Sequence, residues 1–329
     1  MKGFDPKFRD LPDYIIGVTH EIWESRGIET LNRYYAADIP VRTPMGVGIG
    51  NQAVIASTMA TCHEFPDRQL YADDVIWSGD EEAGFLSSHR LLTTATHACD
   101  GQFGPATGRR FTVYAIADCA ARDNAINDEW LVRDYGGIVR QLGQEPKAFA
   151  AGLIAAEGGP EAAAPAFTPE MDVEGPYTGR GNDDPRGARY AEALTRIMAA
   201  DFAHVLDDYD RAAIGQFSGG LRAVGRDEIA AFWLGLRSAF PDASFQIEHQ
   251  IGMEGGMRPP RAALRWSLNG THSGWGAFGR PTGVQVHVMG LSHAEFGPYG
   301  LRREWALYDE VAIWKQILMQ RPELLATET

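Results

Sequence analysis

Tyr14, Ile15, Val18, Ile22 and Trp23 fall on one helical stripe and predict a first helix. A short second helix is expected over 28–36 and a short strand over 39–43, followed by a glycine-rich turn. Val54, Ile55, Thr58, Met59 and Cys62 share a stripe and predict a third helix over 51–64. Phe65-Pro66-Asp67 ends it, because proline cannot continue a helix and biases its predecessor away from helical angles. Beyond that point strands are expected over 68–79, 83–98, 109–120 and 124–134, and a short helix over 135–142 closes the series.

The same order then returns. Leu194, Ile197, Met198, Phe202, Val205 and Leu206 form a first stripe, and Ile229, Phe232, Trp233 and Leu236 form the third-helix stripe. Strands follow near 243–254, 260–273, 284–295 and 300–309, with a terminal helix over 310–318. Residue identities recur at an offset of 175, from about Gly50/Gly225 to Gln141/Gln316. Phe65-Pro66-Asp67 becomes Phe240-Pro241-Asp242, Thr96-His97 becomes Thr271-His272, and Glu129-Trp130 becomes Glu304-Trp305. A period this long is a duplicated domain, since solenoid units run roughly 20–50 residues. Three segments are expected: a first module over 1–143, an Ala/Gly/Pro-rich linker over 144–187 with a helix over 147–157, and a second module over 188–329. Helices followed by long antiparallel strands make an α+β pattern, a curved sheet with helices on one face. The mouth of such a cone is a natural small-molecule site.

Composition narrows the partners. The 329 residues carry 44 acidic against 30 basic side chains, a net charge of −14, which disfavours nucleic acid and anionic membrane. Cys62, Cys99 and Cys119 show no CxxC or Cys/His spacing, which argues against a disulfide framework or structural zinc. The amino-terminal residues lack an apolar signal-peptide core and no run is long enough to span a bilayer, so a cytoplasmic location is expected.

Candidate chemistry concentrates on the last strand of each module. Alternation places Trp130, Val132 and Asp134 on one face and Glu129, Leu131 and Arg133 on the other. The Trp/aliphatic face is the expected concave interior, as is the face of Trp305, Leu307 and Asp309. Desolvation there would raise a carboxyl pKa toward the range of acid/base catalysis. Alternatively each Asp caps the helix that follows it. His97 and His272 fall on apolar faces, as a core histidine or a catalytic one would, and His293 is a further candidate. No His/Asp/Glu set has metal-ligand spacing.

Thr271-His272-Ser273-Gly274, then Phe278 through Gly283, then Glu304-Trp305 and Asp309, resemble the SnoaL-like polyketide cyclase family. Thr96-His97, Phe103-Gly104, Ala106-Thr107-Gly108, Glu129-Trp130, Asp134 and Gln141-Leu142-Gly143 carry the same resemblance in the first half. It implies two tandem cone-shaped α+β barrels of the nuclear transport factor 2-like fold. It also implies intramolecular aldol ring closure with no metal or organic cofactor. The family's acid/base Asp maps onto Asp309 and Asp134, and its assisting histidine onto His272 or His293.

The expected function is therefore cofactor-independent acid/base chemistry on a small carbonyl compound, by cyclisation, isomerisation or dehydration. Asp309 with His272, and Asp134 with His97, would act in pockets lined by Trp305, Trp266 and Phe278 and by Trp130 and Phe103. If one module alone is catalytic, the second is favoured. A non-catalytic small-molecule binder, or a hydrolase whose Asp activates water, are the rival readings. The modules are expected to pair as an internal pseudo-dimer, with homo-oligomers a further option.

Overall fold

The computed structural model describes residues 1–255 and 257–328. In the first module, helices α1 (Leu11–Thr19) and α2 (Leu31–Tyr34) precede a hairpin of β1 (Pro40–Thr43) and β2 (Gly46–Ile49). Helix α3 (Asn51–Glu64) follows, then β3 (Gln69–Asp80), β4 (Gly84–Thr96), β5 (Arg110–Arg122), β6 (Ala125–Arg133) and helix α4 (Tyr135–Gln141). The stretch read as a glycine-rich turn thus supplies a second short strand. Gly50 directs the chain from that strand into α3 at a φ of 87°, and Gly225 does the same before the equivalent helix at 82°. Only glycine takes such angles without strain.

The linker is ordered. Helix α5 (Pro146–Ala156) leads into irregular chain that buries Phe167 and Tyr177 and adds the short strand β7 (Gly179–Arg180) to the second sheet. The second module comprises α6 (Pro185–Met198), α7 (Val205–Asp208), β8 (Tyr209–Phe217), β9 (Leu221–Val224), α8 (Arg226–Ala239), β10 (Ser244–Met253), β11 (Arg261–Thr271), β12 (Gln285–Gly297), β13 (Gly300–Tyr308) and α9 (Glu310–Gln320). Among the described residues no helix is long and apolar enough to cross a membrane.

Each module is a curved mixed sheet wrapped by helices. The strand orders are β2-β1-β6-β5-β4-β3 and β7-β10-β11-β12-β13-β8-β9. The long strands pair antiparallel, and β1 on β6 and β8 on β13 are parallel. Bulges at Ala72/Asp74 and Ala120/Ala121 recur at Ile247/His249 and Glu295/Phe296. An extra residue bends its strand, so matched bulges give matched cones.

The convex faces of the two sheets pack together. Ile116, Trp130 and Val132 meet Leu291, Trp305 and Leu307 in one buried cluster. The contact has an approximate two-fold relation: the Arg265 guanidinium lies 3.8 Å from the Trp130 ring centroid, and Arg90 lies 3.4 Å from that of Trp305. Desolvated cation–π contacts of this kind are worth about 2 kcal/mol. This corrects the expected orientation of the last strands. Trp130, Val132 and Asp134, like Trp305, Leu307 and Asp309, point out of the cones, and Glu129, Leu131 and Arg133 point into the first cone.

Candidate active site

The two cones have diverged. The first holds a cavity of about 420 Å³, within the usual range for small-molecule sites. Its walls are largely apolar, with Ile15, Val18, Leu70, Leu91, Ile126 and Leu131 among them. Linker residues Ala164, Pro165 and Met171 border it beside the β1–β2 hairpin.

The second cone is filled by its own side chains. Where α3 carries Ser57 and Thr58, α8 carries Phe232 and Trp233; where the first sheet has Leu70 and Leu91, the second has Phe245 and Trp266. Trp233 and Trp266 are fully buried, with ring centroids 6.0 Å apart. Glu304 is enclosed among them. Its carboxylate accepts hydrogen bonds from Tyr190 Oη at 2.9 Å, Tyr209 Oη at 3.0 Å and Trp233 Nε1 at 3.3 Å. Burial still pushes its pKa up to about 7.

Glu129 occupies the matching position in the open cone, on the inward face of β6. Burial raises its pKa, while the Arg133 guanidinium and a hydrogen bond with Tyr35 pull the other way. Arg133 and Arg68 also line the cavity. Burial and then the neighbouring Arg133 charge lower the Arg68 pKa to about 10, which leaves it protonated at neutral pH. His89, on the inward face of β4, has its pKa lowered to about 4 by burial and is a neutral imidazole, with Nδ1 unpartnered. The pocket thus sets one carboxyl, two guanidiniums, one neutral imidazole and the Tyr35 phenol in apolar walls. Among the described residues no group of three or more His, Cys, Asp or Glu side chains converges as a metal ion needs.

Residues 14–142 and 188–317 match the sequence profile of the SnoaL-like polyketide cyclases. The chain belongs to this family. A search of curated proteins found no match. Among solved structures it is similar to IdmH from Streptomyces antibioticus, 26% identical over 40% of this chain and 97% of that one, with a TM-score of 0.35. TsrD from Streptomyces laurentii is 22% identical over 40% of this chain and 93% of its own, with a TM-score of 0.35. A SnoaL-like polyketide cyclase from Agrobacterium tumefaciens is 19% identical over 41% of this chain and 100% of its own, also with a TM-score of 0.35.

The residues singled out from this SnoaL-like sequence do not assemble into one site. Asp134 caps α4: Oδ1 accepts from Gly137 N at 2.8 Å and from Gly219 N at 2.8 Å, and Oδ2 accepts from Gly220 N at 2.7 Å. Asp309 caps α9, accepting from Val311 N at 2.8 Å. Burial pushes their pKa values up, to about 6 for Asp134 and about 8 for Asp309, but both lie outside the cavity. The crevice beside Asp309 has no room for a water molecule. His97 Nδ1 lies 3.2 Å from Thr107 Oγ1, and its Nε2 lies 3.3 Å from Glu64 Oε1. His272 repeats the threonine contact, at 3.0 Å from Thr282 Oγ1, but Ala239 stands where the first module has Glu64. Both histidines fasten a loop.

His293 sits between the modules, with Nε2 2.8 Å from Ser88 Oγ and Nδ1 2.9 Å from Arg90 Nη1. Trp130 and Trp305 belong to the same interface, and Trp266 and Phe278 to the solid core of the second cone. Phe103 stacks on Phe149 and borders a small recess that shares Ser57, Arg68, Ala115 and Arg133 with the main cavity. Glu129, Arg133, Arg68, Tyr35 and His89 were missed. The available signal was an acid that recurs at the offset on the last strand of each copy, as Glu129 and Glu304.

Proposed function

We propose that the first module is an acid/base catalyst acting on a small carbonyl compound, and that Glu129 moves the proton. The observation that carries this reading is the carboxyl of Glu129 on the wall of a 420 Å³ apolar cavity, with Tyr35 and Arg133 beside it. Its raised pKa brings it closer to neutral pH, where a carboxylate is a better base and its conjugate acid remains accessible. The Glu129 carboxylate takes a proton from the carbon α to the carbonyl. Charge then develops on the carbonyl oxygen, where the N–H of neutral His89 offers a hydrogen bond. Return of the proton to another carbon gives isomerisation; attack of the enolate carbon on a second carbonyl of the same molecule gives ring closure, with the Glu129 acid returning its proton to the alkoxide that forms. The sequence needs no cofactor. The second cone, packed with Phe232, Trp233, Phe245 and Trp266, is read as its structural partner.

The test is exchange of α-protons for deuterium, followed by NMR over a panel of cyclic and aromatic ketones. Glu129→Gln keeps the side-chain shape and is expected to lower exchange by about 10²-fold or more. Exchange at the wild-type rate in Glu129→Gln would remove Glu129 from the role. Tight binding by the wild type without any exchange would favour the non-catalytic binder.

A further inference from the structure

We infer that the cavity of the first module recognises a carboxylate on its ligand, through Arg68 and Arg133. The inference rests on the reading of this cavity as the substrate site, and it adds the substrate's charge class.

Arg68 and Arg133 both border the cavity, and the residue Arg68 is only 7% exposed. Among the described residues the structure gives neither guanidinium a side-chain hydrogen bond, an ion pair within 4.0 Å or a ring contact. Burial, and after it the charge of Arg133, holds the Arg68 pKa below its usual value. Buried cations are costly without a counter-charge, and elsewhere in this chain they have one. Arg42 is paired with Asp128, Arg90 with Asp73, and Arg261 with Asp74. Glu129 supplies one nearby carboxyl against two guanidiniums.

The duplicate provides the control. At the equivalent positions of the filled cone stand Ala243 and Tyr308, while the glutamate persists as Glu304. The fold therefore does not require the arginines. They occur in the copy that has space for a ligand, and their five-donor planar forks match a carboxylate. The apolar remainder of the cavity fits a ring or short acyl body. The ligand class is a carbonyl compound that also bears a carboxylate, with the acid end on Arg68 and Arg133 and the reacting end near Glu129.

The experiment compares 2-naphthoate with 2-naphthamide by titration calorimetry on the full chain at neutral pH. The wild type is expected to bind the acid about ten- to a hundredfold more tightly than the isosteric amide. Arg68→Met and Arg133→Met keep most of the stem volume and should each erase that preference while leaving amide binding in place. Equal affinity of the wild type for acid and amide overturns the inference, and this comparison needs no variant to fold. Displacement of 2-naphthoate by equimolar inorganic phosphate overturns the carboxylate assignment. Glu129→Gln keeps the acid preference here while losing α-proton exchange. Loss of exchange without any acid preference leaves the catalytic reading standing and sinks this one; acid preference with Glu129-independent exchange does the reverse.

Discussion

The filled cone prescribes a way to close the open one. Thr58 and Trp233 occupy the same position on α3 and α8, and both side chains are buried. In Thr58→Trp the indole would enter the cavity, with Nε1 able to reach Glu129 as Trp233 reaches Glu304 at 3.3 Å. Burying an aromatic side chain removes about 150–250 Å² from water, a gross gain of about 4–6 kcal/mol at ~25 cal/mol per Å². That figure is an upper bound, because the unfolded chain is partly compact and the threonine methyl is already buried. Cavity filling in practice returns about 0.5–2 kcal/mol, or a rise of roughly 1–3 °C in Tm for a chain of this length. The assays are differential scanning calorimetry, titration with 2-naphthoate and α-proton exchange. The expected result is a more stable protein that neither binds nor exchanges. Wild-type affinity in a folded Thr58→Trp protein would refute the location of the site. A fall in Tm would refute the premise that the two cones share one geometry.

Two further outcomes follow from the buried acids. Asp309→Asn should leave exchange unchanged, since asparagine caps helices about as well as aspartate. Asp134→Ala should cost more stability than Asp309→Ala, about 2–4 kcal/mol against about 1 kcal/mol by urea unfolding. It strands the Gly219 and Gly220 amides as well as the α4 cap. Glu304 has a folded pKa of about 7 against an ordinary 4.5, so its folded state holds the proton longer than the unfolded chain. Its contribution is full below about pH 4.5 and lost as pH rises to about 7, on the order of 3 kcal/mol for a shift of that size. Tm should fall across that window, and Glu304→Gln should flatten the fall; an unchanged slope would show that Glu304 does not titrate there.

The duplication, the order of the main helices and the long strands, and the alternation along the last strands were legible in the chain; the short strands β2, β7 and β9, and β8, were not. Which face turned inward was not. In a single half-buried sheet the apolar face marks the interior. Here both faces are buried, one against its cone and one against the other module, so apolarity does not discriminate. Trp130 and Trp305 sit at the interface, where aromatic side chains concentrate.

The recurring identities misled for a related reason. Thr96 binds Asp67 through N and Oγ1 at 2.7 Å each, and Thr271 binds Asp242 in the same way at 2.8 and 2.6 Å. Gln141 accepts from Thr112 N at 2.9 Å, and Gln316 from His287 N at 2.8 Å. Residues shared by both copies hold strands, loops and caps, which both copies need. The proposed site lies where the copies differ, at Thr58/Trp233, Arg68/Ala243 and Arg133/Tyr308, around the shared Glu129/Glu304.

That division explains why a solid cone is retained. Strand β6 carries Glu129 and Arg133 on its inner face, and its outer face is held by the second module at three successive points. Arg265 lies on Trp130, Val132 packs among Leu291 and Leu307, and Gly219 and Gly220 donate to Asp134. The carboxyl and guanidinium proposed to act together stay aligned only if that strand does not shift, and positional tolerance at such sites is about half an ångström. A second copy that had kept a water-filled cavity would offer a softer support, because side chains around a void lose contacts and yield. Filling the second cone with Trp233, Trp266 and Phe232 stiffens the sheet against which β6 rests. On the proposed reading, the filled copy serves as a rigid back for the open one.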